Sequence, residues 1–191
     1  MKNNRVLISL AIVTVTLYWI LVFVLKQWSV DTEVKSKLID TNYAIDISTE
    51  WIIYNTVLNH IKENEGLSLQ VYYCPSGYPT IGYGHVLKTC IVQNIDEPTA
   101  TIMLKDDFMY CIEKVKSYGF MDSDTIFALA HFCFCLGEGR LKTVVEKYRS
   151  GNSLSQELLR YVYYTKDSVK IYSSGLLKRR EFEVELLKKT K

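Results

Sequence analysis

The sequence predicts an α+β domain, with a small lobe built on a β-hairpin and a larger helical lobe, preceded by a single transmembrane helix. Three observations lead there. Residues 6–25 ("VLISLAIVTVTLYWILVFVL") carry no charge. Leu67, Leu69, Val71 and Tyr73 alternate up to the turn word "CPSGYP", and a second short run, "TIGYGH", follows it. From Pro98 onward, apolar residues recur every three or four positions in one segment after another.

Taken in order, residues 1–5 form a basic N-terminus through Lys2 and Arg5. Residues 6–25, at about 1.5 Å of helix rise each, span a hydrocarbon core of about 30 Å. Trp19 and Trp28 sit near the outer end, where interfacial aromatics belong. No small-residue cleavage word follows, so the segment reads as an uncleaved signal-anchor, with the remainder exported. Residues 26–47 are polar and mixed in charge, a spacer. The folded domain occupies residues 48–191.

Within that domain, Ser48 or Thr49 caps a helix whose Ile53, Val57, Leu58 and Ile61 share one face. Gly66 stops it and leaves Glu65 in its last turn. The alternating run and the "TIGYGH" run then pair as a hairpin. Pro98 opens the next helix, with Ala100, Leu104, Phe108, Ile112 and Val115 inward, and Gly119 closes it. "SDTIFALAHFCFCLGEG", capped by Asp122 or Ser123, is apolar almost all round and predicts the buried central helix. "KTVVEKYRSG", "LSQELLRYVYY" and the run after Gly175, "LLKRREFEVELLKK", read as three further helices.

Composition bounds the function. A net charge of +2 over 191 residues marks neither a nucleic-acid binder nor an acidic tail. The basic C-terminus (Lys178, Arg179, Arg180, Lys188, Lys189, Lys191) reads as a solvated helix face, with the paired arginines structural. Five cysteines (Cys74, Cys90, Cys111, Cys133, Cys135) include no CxxC pair, so no metal site and no cofactor are expected from their spacing. Cys133 and Cys135, two apart on a helix, point to opposite sides.

Three words carry a family resemblance. "EGLSLQVYYCPSGYPTIGYGH" places an acid and a glycine at a helix end before a hairpin. "ALAHFCFCLGEG" and "GLLKRREFEVELL" follow it in order. Together they resemble the phage-type lysozymes, the muramidase endolysins that cleave peptidoglycan. The resemblance implies Glu65 as general acid, Cys74 at the second catalytic position and Thr80 as the hydroxyl that holds the attacking water. It also implies Val86 and Phe134 along the sugar-binding cleft. The chain departs from it twice: Cys74 stands where aspartate is usual, and Cys135 where asparagine or glutamine is usual.

Glycosidic cleavage needs a proton for the leaving oxygen and a group on the opposite side for the cation-like sugar. Glu65 suits the first task. An ordinary thiol, with a pKa of about 8.5, is mostly neutral at pH 7. Cys74 is therefore a base or nucleophile once ionised, a polar helper to Thr80, or a turn residue bonded to Cys90. His85 reads as a hydrogen-bonded structural residue. The implied partner is a peptidoglycan strand, met by a monomer that holds the membrane through its N-terminal helix on the extracytoplasmic side. The competing reading is an inactive, anchored lysozyme-like module that binds glycan or protein.

Overall fold

The computed structural model describes residues 49–74, 77–88 and 92–188. The expected membrane helix at 6–25, the spacer and Cys90 lie outside the described residues. Among the described residues, no helix is long and apolar enough to cross a membrane.

Helix α1, described over 49–65, buries Ile53, Val57, Leu58 and Ile61, the face its periodicity predicts. It ends where Gly66 adopts φ +70° and its N–H bonds to the Lys62 carbonyl. A left-handed residue turns the chain off the helix axis at little cost only when it lacks a Cβ. Strands β1 (Ser68–Tyr73), β2 (Pro79–Gly82) and β3 (His85–Val86) then form an antiparallel sheet in that order. Tyr72 faces Thr80, and Thr80 faces Val86 in register. The sheet meets the helical lobe at Gly82, where a Cβ would lie 3.3 Å from the Cβ of Ala100.

Helix α2 (Glu97–Ser117) starts at Asp96, whose side chain accepts from the Thr99 N–H at 2.9 Å. It buries Ala100, Leu104, Phe108, Ile112 and Val115, the five positions its spacing predicts. Helix α3 (Ser123–Leu136), capped by Asp122, is buried continuously from Ile126 to Cys133. It packs against α2, α4 (Glu138–Arg149) and α6 (Ser174–Lys188), so it is the central helix. Removing a side chain such as Leu129 from that core would cost about 2–5 kcal/mol.

One element differs from the sequence reading. The stretch "LSQELLRYVYY" is helical only over α5 (Leu154–Leu158). Its last two tyrosines enter β4 (Tyr163–Lys166), which pairs with β5 (Val169–Tyr172) as a second hairpin. The two-residue turn between them is Asp167–Ser168, at φ 49° and 64°. Both residues are left-handed, as a tight hairpin turn of this length requires, although neither is glycine.

Candidate active site

The end of α1 and the first hairpin enclose an open cleft of about 420 Å³ lined by Glu65, Gly66, Leu67, Ser68, Tyr72 and Gly82. Glu65 reaches it because Gly66 ends the helix one residue later. Arg179, from α6, holds the acid in place with two contacts. Its Nη1 lies 2.7 Å from Glu65 Oε1, and its Nη2 donates to the Asn64 carbonyl at 3.1 Å. The guanidinium fork spans a side chain and a backbone atom of consecutive residues, which fixes the rotamer of the acid. The reading of Arg179 as part of a structural pair on a solvated face is corrected here: it touches the acid of the candidate site.

Cys74 and Thr80 meet at one carbonyl. The Cys74 backbone N–H and the Thr80 hydroxyl both donate to the Tyr78 oxygen, each at 3.0 Å. The hairpin therefore brings the Cys74 backbone and the Thr80 hydroxyl to one atom, but neither residue is among those that line the cleft, where Tyr72, the strand partner of Thr80, stands beside Glu65. Thr80 is 2% exposed. With its proton committed to Tyr78, its oxygen retains lone pairs for a water that reaches it. The Cys74–Cys90 pairing considered from the sequence lies outside the described residues.

Val86 is exposed on β3 opposite Thr80, and Phe134, half-buried near the end of α3, packs against the hydrophobic core. His85 accepts its expected structural place, with Nδ1 2.8 Å from Asp107 Oδ2. Tyr72 and Arg179 went unnamed as site residues in the sequence. The aromatic has only its place in the strand to mark it, and the arginine is remote in sequence from everything it touches.

Behind the cleft lies a second polar group, in the core. Arg180 is fully buried, not solvated: its Nη2 meets Glu183 Oε1 at 2.6 Å and its guanidinium covers the Phe132 ring at 4.8 Å. The same Glu183 oxygen lies 2.7 Å from His131 Nδ1. On the other side of that ring, His131 Nε2 lies 3.0 Å from His60 Nδ1, and His60 stacks flat on Phe182. Burial alone would keep His131 neutral, but Cys135 and Glu183 beside it outweigh burial and raise its pKa to about 9. Burial, then the charges of His131, Arg179 and Arg180, push His60 down to about 4. Of the two rings, His131 is therefore the one that holds a positive charge more readily, and His60 the one that stays neutral.

Residues 62–183 match the Phage lysozyme family. No curated protein matches the sequence. Among solved structures, the chain is similar to the muramidase domain of SpmX from Asticaccaulis excentricus, at 23% identity and a TM-score of 0.61, over 69% of this chain and 93% of that one. It is similar to the endolysin from Escherichia coli O157:H7 phage FAHEc1, at 25% identity and a TM-score of 0.56, over 68% of this chain and 89% of that one. The active form of the P1 phage endolysin Lyz, at 16% identity and a TM-score of 0.53, shares the fold over 74% of this chain and 94% of that one.

Proposed function

The chain belongs to the phage lysozyme family of glycoside hydrolases, and from that premise we propose that it hydrolyses the β-1,4 bond between N-acetylmuramic acid and N-acetylglucosamine in peptidoglycan. The observation that carries the reading is Glu65 at the cleft, gripped by Arg179 at the end of α1. In this mechanism Glu65 gives its proton to the leaving glycosidic oxygen. Water attacks the cation-like sugar from the side of Cys74 and Thr80. Thr80 orients that water through its oxygen, and Cys74 acts as base, as nucleophile, or as a polar aid to Thr80. Val86 and Phe134 border the sugar path. Residues 6–25 anchor the enzyme in a membrane, with the domain on the extracytoplasmic side, where peptidoglycan lies.

A second reading has one specific feature in its favour. Cys74 occupies the place where the family usually carries aspartate, and an anchored module that binds glycan without cutting it needs no base there.

The test is release of new reducing ends from purified peptidoglycan by the full chain, beside Glu65→Gln and Cys74→Ser. Removing a general acid costs about 10²–10⁴-fold in rate. Glu65→Gln should fall by that amount with its melting curve unchanged. If the parent chain binds the wall and releases nothing, with or without reductant, the binding module is the better reading.

A further inference from the structure

Three side chains, two of them fully buried, converge between α3 and α6. His131 and Cys135 stand four residues apart on α3, so they project from the same side of that helix. Glu183 reaches them from α6. One ligand atom from each lies within 4.8 Å of the other two. In more detail, His131 Nδ1 is 2.7 Å from Glu183 Oε1 and 3.9 Å from Cys135 Sγ. We propose that His131, Cys135 and Glu183 form a binding site for one Zn²⁺ ion, through imidazole Nδ1, thiolate and carboxylate, which ties α3 to α6.

The geometry is close to what zinc requires. With Zn–N of about 2.0 Å and Zn–S of about 2.3 Å, tetrahedral coordination sets nitrogen and sulfur about 3.5 Å apart, and nitrogen and oxygen about 3.3 Å apart. The nitrogen–sulfur separation must shrink by roughly 0.4 Å, and Glu183 must turn so that Oε2 faces the ion while the imidazole gives up its contact with Oε1. The ligand set, one imidazole, one thiolate and one carboxylate, suits a borderline-soft divalent ion and disfavours Ca²⁺ or Mg²⁺. Three protein ligands leave the fourth position to water.

A second observation points to the same place. Glu183 Oε2 is buried and has no hydrogen-bond partner, although Oε1 meets both Arg180 and His131. A buried carboxylate oxygen without a partner is costly. Metal coordination by Oε2 removes that cost while Oε1 keeps Arg180. Zn²⁺ held by a thiolate, a carboxylate and a neutral imidazole forms a charge-neutral unit, so the ion buries no net charge beside Arg180 and displaces the protons its ligands carry. Cys135 is half-buried, which gives the ion a way in. The absence of a CxxC word does not bear on such a site, because its spacing is one helical turn plus a distant helix.

The experiment uses the purified full chain, reduced, treated with a chelator and dialysed, then titrated with Co²⁺ at about pH 8 to ease proton release. One equivalent should bind, with a thiolate-to-cobalt band in the near ultraviolet and visible bands of four-coordinate cobalt. Zn²⁺ should then displace it and raise Tm. Cys135→Ser should remove the near-ultraviolet band and weaken binding by more than about tenfold. Cys135→Asn, which carries the amide usual in the family, should do the same in a folded chain if serine is not tolerated. Cys74→Ser should leave the band in place. Failure to take up one equivalent overturns the proposal, as does a band that survives both Cys135 variants or disappears with Cys74→Ser.

Discussion

Arg179 and Arg180 are neighbours on α6, and each meets a glutamate at almost the same distance: 2.7 Å to Glu65 and 2.6 Å to Glu183. The difference is solvent. The Arg179 and Glu65 side chains are 19% and 27% exposed, while those of Arg180 and Glu183 are both at 0%. One residue of helix rotation, about 100°, turns the first arginine toward the cleft and the second into the core. The pair at the cleft is screened by water and contributes little to stability. The pair in the core is charge taken out of water, where the loss of either partner strands the other. Position on the helix, and not residue type, decides which arginine serves the site and which the fold.

The largest effect expected from this contrast is in the core. Glu183→Ala leaves Arg180 and His131 buried without their shared carboxylate, and should cost about 3–5 kcal/mol. In a domain of this size, a loss of that order is a large fraction of total stability. The melting temperature of the metal-free chain measures it. A drop no larger than that of a surface variant would mean that water reaches the cluster, and the contrast between the two pairs would collapse.

Arg179→Ala should behave in the opposite way. Its cost in stability should stay below about 1 kcal/mol, since the pair it breaks is partly solvated. Activity should suffer instead, because Glu65 loses the fork that fixes its rotamer and small misplacements of an acid are expensive. The rate of reducing-end release, compared with Tm on the same preparation, separates the two. Arg179→Lys sharpens the point: it keeps the charge but cannot hold Glu65 and the Asn64 carbonyl together. Activity restored fully by lysine would make the contact electrostatic and not positional.

Much of this arrangement was legible in the sequence, and the rest was hidden for physical reasons. The place of Glu65 at the end of α1 could be read because helix periodicity, a stop glycine and an alternating run are all local signals, whereas its role as acid came only from the family resemblance. The core faces of α1 and α2 followed from spacing alone. The second hairpin did not, since tyrosine is compatible with helix or strand and the turn residues Asp167 and Ser168 are left-handed without the glycine that usually announces such a turn. The two arginines were read alike because nothing local distinguishes them. Their fates depend on contacts 115 residues back in the chain for Arg179 and Asn64, and 52 residues apart for His131 and Glu183. A charged residue three before another charged residue looks like a surface pair until a third element covers it.

A third pair extends the comparison toward the surface. His85 Nδ1 and Asp107 Oδ2 are 2.8 Å apart, with side chains 32% and 34% exposed, more open than the pair at the cleft. The sequence reads His85 as structural and assigns proton transfer to Glu65. Asp107→Asn preserves an oxygen to accept from the ring while removing the negative charge. If exposure governs the value of such contacts, the change should cost no more than a few tenths of a kcal/mol, below the effect of Arg179→Ala. Reducing-end release should remain within about twofold of the parent, because a hydrogen bond that orients a ring without moving its proton through the reaction survives the exchange. A loss near that of Glu65→Gln would instead give His85 and Asp107 a part in proton transfer. A second proton carrier would then stand beside Glu65, and the division of labour between Glu65 and the Cys74–Thr80 side would need to be redrawn.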